Sequence, residues 1–146
     1  MADKKQINGK EVINGSWGEV WFDGEYMAQV VSFKAEIGIK TTAVARVQNL
    51  QPGQKMTGVE PKGEIKFHKI NSFIMKKIDA ELKKGKMPVF KIVSNINDPD
   101  STGAERIVVY DATFDKMILA DWETEKLGEE SYSFTFSDWD ILDTIK

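Results

Sequence analysis

The chain has 146 residues, 41% of them apolar, with 20 Lys and Arg against 23 Asp and Glu for a net charge of −3. That suits one domain with its own core and gives no basic footprint for tight nucleic-acid binding. It has no cysteine, which removes disulfides, thiol catalysis and zinc–thiolate sites together.

Met1 to Gly15 is polar, with Asn8-Gly9 and Asn14-Gly15 as turn dipeptides, and reads as an N-terminal arm (1–16) that is either frayed or ordered against a neighbour. It has no apolar stretch of the kind an export signal needs, and no window approaches eighteen apolar residues; a soluble product of the cytoplasm with no membrane partner is expected. Gly18 to Phe22 reads as a short strand, and Asp23-Gly24 as the turn of a hairpin.

Tyr26 to Lys40 is the most informative stretch. Met27, Val31, Phe33, Ala35, Ile37 and Ile39 occupy odd positions, with Gln29 the exception. The even positions begin apolar at Ala28 and Val30, then turn to Ser32, Lys34, Glu36, Gly38 and Lys40. A period of two places these sets on opposite faces of one strand. Fourteen residues at about 3.3 Å each reach roughly 46 Å, more than the ~40 Å diameter expected for a compact chain of this length. Such a strand overhangs its own globule, and a second copy of the chain is the simplest cover.

Residues 41–61 lose the pattern. Thr41-Thr42, Pro52-Gly53, Gly58 and Pro61 punctuate what reads as a long loop, and Val44, Val47, Leu50, Met56 and Val59 make it a candidate subunit interface. Gly63 to Lys69 alternates again, Ile65 and Phe67 against Glu64, Lys66 and His68, and pairs naturally with the long strand. Asn71 can cap a helix over residues 72–84, in which Ile74, Ile78 and Leu82 form one buried stripe; Gly85 and Pro88 end it. Residues 89–96 and 105–119 read as two strand regions around the turn 97–103. Asp121 to Glu130 is acidic, Tyr132 to Trp139 alternates, and Ile141, Leu142 and Ile145 suggest a docked C-terminus. The expected fold is mainly β (α+β): an antiparallel sandwich or barrel of six or seven strands with one flanking helix.

Catalytic chemistry is hard to find. His68, the single histidine, lies on a polar strand face with no Ser or acidic partner in a known motif, and reads as a surface residue. Asp98-Pro-Asp100 opens like a calcium loop, but the twelfth position is Val109 where a bidentate acid is required, so a Pro-Asp turn is expected. Phosphate-cradling glycine motifs do not occur, and the run Lys83 to Lys86 is a helix C-terminus. No catalytic residue, metal or cofactor is assigned, and no enzyme activity is expected.

Several stretches together resemble the tail tube proteins of contractile phages, in the PBSX-like prophage family: GSWGEVWFDGEYMAQV, EPKGEIKFHKINS, SNINDPDSTGAERIVVYDATFDKMILADWE and LGEESYSFTFSDWDILDTI. They cover nearly the whole chain, 1–146, as a single tail-tube domain. The resemblance implies hexameric rings stacked into a hollow tube inside a sheath, a fold shared with type VI secretion ring proteins. It implies two hairpins per subunit joined into a continuous barrel of twenty-four strands, with DNA passing through without specific binding. Partners would be further copies, the sheath and a baseplate or initiator, and the location a virion tail, reached from the host cytoplasm. On that reading Ser32, Lys34, Glu36, Lys40, Glu64, Lys66 and His68 are the lumen-facing candidates. The rival is a monomeric β-barrel holding a small apolar ligand between Trp17, Trp21, Phe33 and Phe67.

Overall fold

A computed structural model describes residues 6–146. The first five residues of the expected N-terminal arm lie outside the described residues. The rest of that arm forms two 3-10 turns, Gly9–Glu11 and Gly15–Trp17. Asn8 and Asn14 cap them through side-chain oxygens, and the Asn14 amide donates to the buried Asp98 carboxylate at 2.9 Å. The same carboxylate accepts from the Asp100 amide at 2.9 Å, so Asp98-Pro-Asp100 is a structural turn that anchors the arm.

Eight strands follow: β1 (Gly18–Phe22), β2 (Glu25–Tyr26), β3 (Val30–Arg46), β4 (Asn49–His68), β5 (Phe90–Ile96), β6 (Glu105–Phe114), β7 (Glu129–Thr135) and β8 (Asp138–Asp143). Every pairing is antiparallel, in the order β2-β1-β5-β6-β7-β4-β3, with β8 on β6. The sheet is open and does not close into a barrel within one chain. Asp23 and Gly24, both at positive φ, make the two-residue β1–β2 turn that their sequence calls for.

β6 divides the sheet into two halves. It pairs with β5 and β8 over most of its length, then kinks at Asp111 (φ 55°), where a bulge shifts the β5 register, and hands Thr113 and Phe114 to β7. Phe114 therefore touches both layers: it stacks on Phe22 and tilts against Phe90 from one, and tilts against Tyr132 and meets Phe134 edge-on from the other, with centroids 5.0–6.1 Å apart. Val20, Ile65, Phe67, Ile92 and Val109 complete this core.

The helix α1 (Phe73–Lys83) closes one end of it. Ile74 and Ile78 are buried and Phe73 meets Phe22 edge-on, whereas Leu82, expected in the same stripe, is half exposed. Asn71 accepts from the Phe73 amide at 3.1 Å, and Gly85 (φ 73°) ends the helix.

Two sequence expectations need correction. The long strand begins at Val30, because Met27 is buried in a turn and Val31 falls at a bulge. Residues 41–61 are no loop: β3 continues to Arg46, turns at Val47-Gln48 and returns as β4. Pro52 and Pro61 lie in the part of β4 whose second edge has no partner, the position in a sheet where a missing N–H is tolerated.

Candidate assembly surfaces

The β3–β4 hairpin has two halves. Near its base, Phe33 stacks on Phe134 and Phe67 on Tyr132, and Ile37 packs at the margin of the core. Beyond Gly38 and Glu60 both faces are open, because no third layer reaches them: Ile39, Val44, Val47, Leu50, Met56 and Val59 are all exposed.

Directly opposed residues share a face, so the register sorts every side chain. Ser32 stands opposite Lys66, Lys34 opposite Glu64, Glu36 opposite Lys62, Gly38 opposite Glu60 and Lys40 opposite Gly58. β7 extends this polar face, placing Ser131, Ser133 and Thr135 beside Lys66, Glu64 and Lys62, and Glu129 beside His68. Thr113 of β6 adds a fourth strand, its hydroxyl 3.1 Å from that of Thr135. The structure thus gathers all seven polar residues selected from the sequence onto one four-stranded face. It adds Glu60, Lys62, Glu129, Ser131, Ser133, Thr135 and Thr113. The alternation around Ser131 to Thr135 was a signal for three of these, but the partner strand could not be read from the sequence.

As far as Lys40 and Gly58 this face is electrically balanced, with Lys34, Lys40, Lys62 and Lys66 against Glu36, Glu60, Glu64 and Glu129. Beyond them Thr42 opposite Lys55 and Val44 opposite Gly53 carry it on to the cations Lys55 and Arg46, unpaired among the described residues. Lys40 meets Glu60 at 2.9 Å, Lys66 meets Glu129 at 2.7 Å, and Lys34 and Lys62 flank Glu36 at 3.7 and 3.8 Å. Lys40, by hydrogen bond and charge, holds the Glu60 carboxyl below its usual range. All these side chains are substantially exposed, so the pairs set the charge pattern more than the stability.

The five interface candidates separate. Val47 and Leu50 sit at the tip of the hairpin. Met56 and Val59 share the non-polar face with Thr41 and Ile39, and Val44 lies on the polar face opposite Gly53. Under the hairpin, Phe33 and Ile37 form one side of an open groove of about 490 Å³, and Ile107, Trp139 and Ile141 form the other.

The residues of the rival reading do not converge. Phe33 and Phe67 are engaged in separate aromatic stacks, Trp17 and Trp21 lie at the surface, and the sheet is open. Among the described residues no group of His, Asp and Glu could hold a metal ion, and no helix is long and apolar enough to cross a membrane.

An open sheet with a long, uncovered hairpin is an architecture suited to association with further chains, the class to which structural, assembling proteins belong. The family model for phage tail tube proteins matches residues 5–143, and the chain belongs to that family. It is 33% identical over 143 residues to the phage-like element PBSX protein XkdM of Bacillus subtilis (strain 168), covering 95% of this chain and 96% of that one. Among solved structures it is similar to the tube-terminating cap of the anti-feeding prophage (TM-score 0.71, 11% identity, 97% of each chain). A chain of the six-fold symmetrised baseplate of the same particle also matches (TM-score 0.60, 10% identity, 86% of this chain and 90% of that chain). The protein is a structural tail protein and not an enzyme.

Proposed function

We propose that the chain assembles into six-membered rings that stack as the inner tube of a contractile tail or tail-like particle. The observation that carries this reading is the four-stranded half-sheet β3-β4-β7-β6, which has one polar face and a β3 edge with no partner on its outer side. An exposed strand edge of seventeen residues invites association, and closure into a ring removes it. The six-fold setting of a similar chain and the family membership support six copies.

Four strands from each of six copies give a barrel of twenty-four. At ~4.8 Å between strands and a tilt of about 40°, its backbone diameter is about 48 Å, leaving a channel of roughly 35–40 Å inside the side chains. That admits a DNA duplex. The polar face, with Ser32, Lys34, Glu36, Lys40, Glu64, Lys66 and His68, would line this channel. Its lysines are interleaved with carboxylates and offer no continuous basic track, which supports passage of the duplex without tight binding. Val47 and Leu50 at the tip and Met56 and Val59 on the non-polar face would contact neighbouring copies, while Val44, also selected from the sequence as an interface residue, goes with the polar face. Sheath and baseplate or initiator proteins are the further partners, and subunits made in the host cytoplasm would end in the virion tail.

Negative-stain electron microscopy of the purified protein across a concentration series, with and without an initiator complex, tests this. Six-fold rings or tubes with a central channel are expected. Small featureless particles under every condition, initiator included, would refute it.

A further inference from the structure

Within the β3–β4 hairpin and the β6–β7 connection, the exposed apolar residues most open to solvent fall at two sites. One is the hairpin tip, where Val47 and Leu50 are 91% and 104% exposed. The other is the 115–128 loop between β6 and β7, where Trp122 and Leu127 are 83% and 92% exposed and Leu119 accompanies them.

These clusters lie at opposite ends of the half-sheet. The loop enters β7 at Glu129, which pairs with His68 at the base of β4, and the Lys69 amide donates to Gly128 at 2.8 Å. The tip lies beyond Lys62, the last β4 residue that β7 reaches. From Lys62 to Asn49 the strand runs on for about 43 Å at ~3.3 Å per residue.

Their charges are opposite. Between residues 41 and 59 the only charged side chains are Arg46 and Lys55, and among the described residues neither meets a carboxylate. Arg46 instead donates to the Gln51 carbonyl at 2.9 and 3.1 Å. The loop carries Asp115, Asp121, Glu123 and Glu125 against Lys116 and Lys126. Lys126 is engaged by Glu123 at 3.0 Å, while Asp121 and Glu125 meet no cation among the described residues.

We infer that the basic apolar hairpin tip of one copy seats on the acidic apolar 115–128 loop of a second copy in the next ring. Both surfaces are present on every chain at opposite ends, so the contact is heterologous and never closes on itself: it propagates a stack. This deepens the ring reading and rests on it, because rings set the tips on one rim and the loops on the other. Leu50 and Val47 supply the apolar contact against Trp122 and Leu127; Arg46 and Lys55 supply orientation against Asp121 and Glu125.

The absence of cysteine allows a clean test on the full chain. A chain carrying both Leu50→Cys and Trp122→Cys, assembled and treated with a flexible bismaleimide, should give a ladder of linked species well beyond the dimer. Each single variant should stop at the dimer or below. Separately, Arg46→Glu with Lys55→Glu should shorten mean tube length about tenfold at fixed concentration while six-fold rings persist. Adding Asp121→Lys and Glu125→Lys to that chain should restore length. Tubes that form without the ladder, or reach full length with the tip reversed, overturn the contact and leave the ring standing. Failure of the unmodified chain to form six-fold rings overturns both.

Discussion

Gly63 offers the sharpest test of how the half-sheet is built. It lies in β4 between Ala35 of β3 and Phe134 of β7, and is buried. A methyl group placed there would collide with the Lys34 carbonyl and the Phe134 ring, approaching Cε2 of that ring to 2.8 Å. Neither neighbour can yield easily. The carbonyl belongs to the ladder, and the ring is fixed by Phe33, Phe114 and Phe136 with centroids 5.8, 6.1 and 6.1 Å away. Overpacking of this kind costs about 1–3 kcal/mol, and the double clash places Gly63→Ala near 3. With a urea m-value of about 1–3 kcal/mol per molar, the midpoint of unfolding should fall by roughly 1–3 M. Gly58→Ala is the matched control, in the same strand but with only the Lys40 Cδ within 4 Å, at 3.9 Å; it should change stability by less than about 0.5 kcal/mol. Urea titrations of the unassembled chain followed by fluorescence decide the matter. A Gly63→Ala midpoint within error of wild type would show that Phe134 does not sit across Gly63.

Burial pushes the Tyr132 phenol up to about 12, from an ordinary value of 10.0, with the Glu130 carboxylate adding to the shift. The folded state thus favours the neutral phenol, whose contribution is complete below pH 10 and is lost as pH climbs from 10 to 12. Tyr132→Phe, which leaves the Ile118 amide without its acceptor, should cost about 1–2 kcal/mol at neutral pH. That deficit should vanish by pH 12 in parallel denaturation series; a constant gap would contradict the shift. Asp98→Ala removes the acceptor for two backbone amides and should cost about 2 kcal/mol while exposing residues 6–17 to protease. Unchanged digestion would show that the arm is held elsewhere. Ile37→Asp, at the margin of the core and on the groove, should block ring formation or folding. Glu36→Lys, on the exposed polar face, should leave assembly largely intact; equal damage from both would refute the face assignment.

Where one face of an element is dry and the other wet, the sequence carries its record. Tyr132, Phe134 and Phe136 are buried and their neighbours exposed, so β7 was legible, as were α1 and the Asp23-Gly24 turn. The distal hairpin carries no such record. From Ile39 to Val59 both faces are open to solvent, no apolar alternation is imposed, and glycine and proline persist without penalty. A methyl group added at Gly53 would meet the Arg46 Cδ at 3.5 Å, an ordinary contact, so the strand does not require glycine there and the residue marks no turn. Read locally, those residues spell a loop. The β6 handover at Asp111 and the eighth strand were equally hidden, since a bulge leaves only one aspartate as its mark. The polar face was half legible: its β3 and β4 members followed from alternation, but joining them to Ser131, Ser133, Thr135 and Thr113 required the pairing of strands remote in sequence.

The same division separates folding from assembly in this molecule. The core cluster draws on β1, β4 to β7 and α1, and from the hairpin it takes only the base, with Ile65 and Phe67 buried and Val30, Phe33 and Ile37 packed against them, and no apolar residue nearer the tip. Residues 39–59 are held by one ladder, with no layer behind them, an arrangement that is marginal for an isolated hairpin in water. Such a segment survives selection only if burial elsewhere compensates its exposed edge and apolar side chains, and the proposed ring supplies that burial. It follows that Ile39, Met56 and Val59 can be made polar with little effect on unfolding of the free subunit, while ring yield collapses. A substitution there that unfolds the subunit instead would mean that the hairpin belongs to the core, and that the open edge is not what drives association.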